Sequence, residues 1–416
     1  MEVNRATFYK SCFCKHPMRD MNRREFITHS FGLLLGAQLL QNFKLSRSVS
    51  ARIMRNVRAS SEPLTSTLHI AQNGSPQELL TAALNEFGGI GKVVKKGQRV
   101  VIKVNISFNR TPEQATTTNP ELVDTLVRLC REAGAREVLV LDHTIDNGKM
   151  CLDSSEMEET VKRAGGTMKA INSERDYTEV DIPRGNVLKR VMISKDVLDA
   201  DVFINVPIAK VHNSAVTTLS MKNLMGIVWD RGEFHWRGLH ECIADLSTYV
   251  KPDLIVLDAY RILMTGGPGG PGEVKDAGEV VIGTDCVAVD TYGTVLLERN
   301  PDYVGYINAA VRHGLGEKDL DKVNKVYVDA QKVKEEAAET TEESEETEET
   351  EEEQPAEEET PEPVVEQTET PEPIMEEPQS EEEKEAGIPA IILIPALVVS
   401  FLIGLRMRRM KKRDSE

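Results

Sequence analysis

Residues 100–142 read VVIKVNISFNRTPEQATTTNPELVDTLVRLCREAGAREVLVLD. The two apolar runs, 100–106 and 137–141, are short and rich in β-branched residues, which marks them as strands. Between them Asn119-Pro120-Glu121 opens a helix, with Asn119 as cap and Pro120 in the first position, where its missing N–H does no harm. Leu122, Leu126, Leu129 and Cys130 fall on one face, and Gly134 ends the helix. A strand, a helix and a second strand in that order ask for a parallel pair bridged across one face.

Working outward, the same alternation recurs. The spacing predicts a helix over 155–164 stopping at Gly165-Gly166, then a strand at 167–171. Residues 177–182 and 187–193, split by Pro183-Arg184-Gly185-Asn186, read as a hairpin attached to the sheet. Strands follow at 202–206 (VFINV), 253–257 (DLIVL) and 279–282, with helices near 236–248 and 285–297. The class is therefore α/β, a mostly parallel sheet flanked by helices. No linker composition interrupts 68–330, so that stretch is expected to be one domain.

Beyond it the composition changes. Of the net charge of −18, residues 335–385 supply −24 through 25 Glu and one Lys, while 52–334 are nearly neutral at −3. A near-neutral domain predicts no nucleic-acid partner. Residues 334–385, made of Glu, Thr and Pro, are expected to be a disordered acidic stalk. The uncharged run 387–405 (GIPAIILIPALVVSFLIGL), at ~1.5 Å per residue, is about 28 Å long and reads as one C-terminal transmembrane helix. The cations of 406–416 mark that tail as cytoplasmic. At the other end, paired Arg23-Arg24 and the apolar stretch 31–40, within 1–51, resemble a twin-arginine export signal, with Met21 as an alternative start. The expected product is a single-pass membrane protein whose globular domain is extracytoplasmic.

Six cysteines, Cys12, Cys14, Cys130, Cys151, Cys242 and Cys286, contain no C-x-x-C pair, so no metal site is signalled. Cys130 reads as a core thiol, and a disulfide among the last four is open in an exported protein.

In parallel sheets ligands meet the carboxyl ends of strands. Asn105, Asp142, Asn205, Lys210, His212, Asp258 and Asp285 fall where those ends should be, although each Asp or Asn alone would more often cap a helix or turn. The densest segment is 205–212 (NVPIAKVH) followed by 217–226 (TTLSMKNLMG). Lys210 and Lys222 suit a carboxylate or phosphate, and His212 suits proton transfer near neutral pH. Lys222 could instead cap a helix, and His212 could be an ordinary buried donor. The glycine-rich run 266–272 lacks the order of a phosphate-binding motif and reads as a mobile loop.

Taken together, VIKVN (101–105), Asp142, NVPIAKVH, SMKNLMG (220–226), DLIVLDA (253–259), the GGP loop and IGTDCVAVD (282–290) resemble the domain of unknown function 362 family over about 100–320. The matching positions are Lys103, Asn105, Lys210, His212, Lys222, Asn223, Gly226, Asp258, Asp285 and Asp290. Val104 and Ala209 depart from the residues, Pro and Lys, that members often carry there. Members often stand beside iron–sulfur modules, which implies a redox partner protein; this chain lacks the cysteine array, so cluster binding does not carry over. The resemblance leaves the activity and cofactor unspecified. It points to His212, Lys210 and Lys222 as catalytic candidates, with Lys103, Asn105, Asp142, Asn223, Asp258 and Asp285 as candidates for holding a small anionic ligand or cofactor. The alternative is a non-catalytic ligand- or partner-binding surface protein.

Overall fold

The computed structural model describes residues 66–336. The signal region 1–51, the stalk beyond residue 336, the apolar segment 387–405 and the basic tail lie outside the described residues. Among the described residues no helix is long and apolar enough to cross a membrane. The described chain ends in a helical turn at 330–336, where Lys334 pairs with Glu78 at 2.8 Å.

The strands are β1 Thr67–Gln72, β2 Arg99–Lys103, β3 Glu137–Asp142, β4 Thr167–Ala170, β5 Tyr177–Asp181, β6 Arg190–Ser194, β7 Val202–Asn205, β8 Ile208–His212, β9 Val216–Thr218, β10 Leu254–Leu263, β11 Val274–Gly283 and β12 Asn324–Asp329. Ten of them form one sheet in the order β12-β1-β11-β10-β7-β2-β3-β4, with β8 and β9 branching from β10. The run β10-β7-β2-β3-β4 is parallel throughout, as the alternating pattern predicts. Antiparallel pairing enters only through β11, between β10 and β1, and through the β8–β9 hairpin.

Side-chain alternation divides the core. Val100 and Ile102 of β2, with Val138 and Val140 of β3, pack on one face against Leu122, Leu126 and Cys130 of helix Pro120–Glu132. Val101, Leu139, Leu141 and Phe203 pack on the other face against Cys242, Ile243 and Leu246 of helix Leu239–Tyr249. Each fully buried aliphatic side chain in these layers contributes about 1.5–3 kcal/mol. Asn119 caps its helix as expected, accepting from the Glu121 N–H at 3.0 Å.

Several sequence expectations change. The hairpin forms, but β5 and β6 pair only with each other, in a separate two-stranded sheet. The helix expected at 155–164 forms as Met157–Arg163, and an unforeseen short helix, Gly148–Ser154, precedes it across Glu156, which adopts φ 58°. The polar segment 208–218, to which the sequence assigns no element, is the β8–β9 hairpin. Its hydrophobic pattern was hidden by Lys210, Thr217 and Thr218, which are buried although polar. Cys130, Cys151, Cys242 and Cys286 are free thiols, so no disulfide joins them. Cys130 is a core thiol as read, and burial pushes its pKa up to about 12.

The chain's order on the sheet reverses between β2 and β7. From β2 it moves outward through β3 and β4; from β7 it moves the other way to β10. The carboxyl ends of two strands that diverge in this way leave a crevice above them.

Candidate functional site

That crevice is where the polar segments converge. Lys103 ends β2, Asn105 follows two residues later, Asn205 ends β7, and Asp142 ends β3. The short helix Ser220–Asn223 and the 3-10 turn Leu224–Ile227 carry Lys222, Asn223 and Gly226 across the top. A cleft of about 300 Å³ results, lined by Lys103, Asn105, Lys210, His212, Lys222, Asn223 and Arg231 among others.

Its floor is a continuous hydrogen-bond network. Lys210 Nζ donates to Asn105 Oδ1 at 3.0 Å and to the Thr116 carbonyl at 2.6 Å. Asn105 Nδ2 donates to Asn223 Oδ1 at 3.0 Å, and Asn223 Nδ2 donates to Asn205 Oδ1 at 2.8 Å. Lys103 Nζ reaches Asn223 Oδ1 at 3.1 Å and Asp142 Oδ1 at 2.8 Å, and also donates to the Val104 carbonyl. Asp142 Oδ2 in turn accepts from the Ile106 N–H at 2.8 Å. A network with every member satisfied holds its side chains in one arrangement.

Gly226 explains its own place in the K-N-x-x-G pattern. A Cβ there would overlap Asp142 Oδ1 and stand 2.6 Å from Lys103 Nζ, so only glycine lets the turn lie on the buried ion pair.

The charges do not balance. Three lysines, Lys103, Lys210 and Lys222, and Arg231 line the cleft without a lining carboxylate. Lys103 has Asp142 behind it, and Arg231 is spent on the His143 and Thr144 carbonyls at 2.9 and 3.0 Å. Lys222 has no hydrogen-bond or ion-pair partner among the described residues. Burial, with Arg231 nearby, lowers its pKa to about 8. Burial likewise lowers Lys210 to about 7 and, aided by Lys222 and Lys210, His212 to about 3. His212 Nδ1 accepts from the Ser214 and Ala215 N–H groups at 3.0 and 3.2 Å, which fixes it as a turn acceptor. The Thr218 hydroxyl, in the lining, is buried without a partner.

The structure thus gathers Lys103, Asn105, Lys210, His212, Lys222 and Asn223, with Asp142 directly beneath. Asp258 and Asp285 lie outside the lining. Asp258 sits within β10 rather than at its end, accepts from the Asn119 N–H at 2.7 Å, and is raised by burial to about 6. Asp285 caps helix Cys286–Leu296, accepting from Val287 and Ala288. Asp290 accepts from the Ser220 and Met221 N–H groups at 2.7 and 3.0 Å and so holds the turn that carries Lys222. Asp285 thus does what the capping reading expects of an Asp in such a position.

Sequence reasoning missed Arg231, Ser107 and Phe108 as lining residues, whereas Thr218 belongs to the dense segment it singled out. Ser107 and Phe108 were within reach, since they continue the strand end past Asn105. The glycine run is packed against the cleft wall: Pro268 lines it, and a Cβ at Gly267 would overlap the Val211 carbonyl. Among the described residues no group of three or more His, Cys, Asp or Glu side chains could hold a metal ion. A larger recess of about 610 Å³ along β6 is lined by Arg190, Arg237, Glu179 and Glu233. With Asp230 it holds three carboxylates against two arginines, paired as Arg237–Glu233 at 2.5 Å and Arg190–Glu179 at 3.6 Å, so it lacks the cationic excess of the first cleft.

Residues 100–295 match the model of a family described as a domain of unknown function, DUF362. The match stops short of the 320 expected from the resemblance, while the DUF362 region includes every residue of the cleft named above. A thylakoid-associated protein of Synechocystis sp. is 26% identical over 250 residues, covering 58% of this chain and 76% of its own length. Among solved structures, the lactate racemase apoprotein from Thermoanaerobacterium thermosaccharolyticum aligns with a TM-score of 0.34 and 12% identity. That alignment spans 55% of this chain and only 56% of the racemase, a likeness too slight to bear on function.

Proposed function

We propose that the DUF362 domain of this chain binds a small oxyanion, a carboxylate or a phosphate, in the cleft over the ends of β2 and β7. The observation that carries this reading is Lys222. Its ammonium is partly withdrawn from water in a cleft rich in cations and has no anion of its own among the described residues. An unpaired desolvated cation is costly, and an anionic ligand removes that cost. The unpartnered Thr218 hydroxyl adds a donor for the same ligand.

In the full chain the binding domain is an extracytoplasmic module, exported by the twin-arginine-like segment and held to a membrane by 387–405, with the Glu-rich stalk between. The thylakoid association of the Synechocystis relative supports a membrane location. A non-catalytic module that presents its ligand to a partner accounts for the same cleft and stalk. A redox cofactor with a redox partner protein rests on the family resemblance alone.

Calorimetry on the full-length chain with phosphate, sulfate and short carboxylates tests the binding. Lys222→Ala is expected to weaken the best of them at least tenfold, with the melting temperature held or raised. Equal affinity in Lys222→Ala would remove the basis of the proposal. For topology, protease added to intact cells should cut the Glu-rich stalk.

A further inference from the structure

Two buried lysines stand side by side in this cleft with different numbers of acceptors. An ammonium has three N–H donors, and a neutral amine has two donors and a lone pair. Lys103 Nζ has three acceptors, the Asp142 carboxylate, Asn223 Oδ1 and the Val104 carbonyl, which together match an ammonium. Lys210 Nζ has two, Asn105 Oδ1 and the Thr116 carbonyl, and both are uncharged. The fourth tetrahedral position of Lys210 has no acceptor among the described residues, although the side chain is only 1% exposed and lines the cleft. An ammonium there would leave one N–H unmet in a buried place; a neutral amine leaves none.

We propose that Lys210 stands in the empty cleft as an uncharged amine and is its proton acceptor, acting on an oxyanion whose charge rests against Lys222. This deepens the anion-binding reading and rests on it for the substrate class, an oxyanion that also carries an acidic proton. In the step, the ligand's O–H or C–H bond breaks, its electron pair stays on the ligand, and the proton forms the third N–H of Lys210. Neither existing hydrogen bond of Lys210 has to break, because Asn105 and Thr116 keep their donors. The new ammonium then lies against the anion that it has just made more negative. Titratable groups whose surroundings push their pKa values apart can divide proton transfer and charge binding between them.

The surroundings agree. Burial is the largest influence on Lys210 and lowers its pKa to about 7; Lys222 and Lys103 push in the same direction, and Asp142 opposes them. On its own strand, His212 is lowered to about 3 and so brings no positive charge at neutral pH. Arg231 lines the same cleft, while Asp258, on the neighbouring β10, is turned to the Asn119 and Tyr260 N–H groups. The Phe108 ring centroid lies 5.4 Å from Nζ, a cation–π distance that favours the ammonium and so opposes the effect of burial.

The test is an NMR titration of the full-length chain carrying [ε-13C]lysine, with the Lys210 signal assigned by its absence in Lys210→Arg. The expected midpoint lies near neutrality, and saturating sulfate, an anion with no proton to give at these pH values, raises it. Asn105→Asp, which supplies the missing carboxylate, is expected to raise it as well. That variant also identifies the signal by its shift if Lys210→Arg does not fold. A Lys210 signal that stays ammonium-like beyond about pH 9.5, as an ordinary lysine does, overturns the inference. Calorimetry with sulfate and phosphate separates the two claims. Failure of both anions to bind removes the anion-binding reading, whereas binding to a charged Lys210 removes only this one.

Discussion

Lys103 Nζ lies 2.8 Å from Asp142 Oδ1 with the two side chains 1% and 0% exposed, directly beneath Gly226. Burial lowers the Lys103 pKa while the Asp142 charge and hydrogen bond oppose that shift. The pair is sustained by its own attraction and by the hydrogen bonds around it, to Asn223, the Val104 carbonyl and the Ile106 N–H, and the cleft is built on top of it.

Asp142→Asn should be among the most damaging single changes near the site. It leaves the Lys103 ammonium buried without a counter-charge, a loss of about 3–5 kcal/mol. Urea unfolding measures it. A loss below about 1 kcal/mol would mean that Lys103 is not charged in the native protein.

Gly226→Ala tests the close approach of the turn to the pair. The added methyl must displace Lys103 or Asp142, at about 1–3 kcal/mol. Weaker anion binding should accompany the lower melting temperature, since Lys222 sits on the same turn. Unchanged stability would show that the turn can lift away freely.

Thr218→Val exchanges an unpaired buried hydroxyl for a methyl of the same shape. Removing an unsatisfied polar group is neutral or stabilising by roughly 1 kcal/mol. Thermal unfolding should show no loss, and anion affinity should fall several-fold. Destabilisation would reveal a partner for that hydroxyl in solution.

The stability of the domain should depend on pH in two opposite ways. Asp258 and Asp290 are raised by burial to about 6 and about 7. Below the ordinary carboxyl range they are neutral folded or unfolded. Between about pH 4 and 7 the folded state holds more protons, so their contribution to stability falls as pH rises. Lys210 and Lys222 are lowered to about 7 and about 8. From there to about pH 10 the unfolded state holds more protons, so their contribution rises with pH. His212, lowered to about 3, works the other way below about pH 6.5, so the aspartate contribution is read as a difference. Between about pH 4 and 7 the urea midpoint of Asp290→Asn should fall less, or rise more, than that of the unsubstituted chain. Above neutrality the rise should be shallower in Lys222→Ala. Parallel acid-side profiles run against the assignment for Asp290.

The parallel strands around β2 were legible because each is a compact apolar run with a helix signal after it, Asn119-Pro120 being the clearest. Lys103 was pointed to by the family resemblance, whereas Lys210 and Lys222 were legible in the polar segment that follows such a run. The β8–β9 hairpin was not, since a strand that buries lysine and threonine has no hydrophobic signature. Nor was Arg231, whose guanidinium reaches the His143 and Thr144 carbonyls across 88 and 87 residues of chain. Asp258 shows the reverse error. A strand pattern that pauses at an aspartate looks finished, yet β10 runs on to Leu263 because Asp258 finds the Asn119 amide inside the core.

The glycine-rich run that touches Val211 and Phe108 hangs between β10 and β11, whereas the lysines come from β2, β8 and the 220–227 turn. Mouth and electrostatics are therefore encoded by separate stretches of polypeptide. Lengthening or stiffening the 265–273 connection would alter which guests fit, while the charge that attracts them stayed as it is.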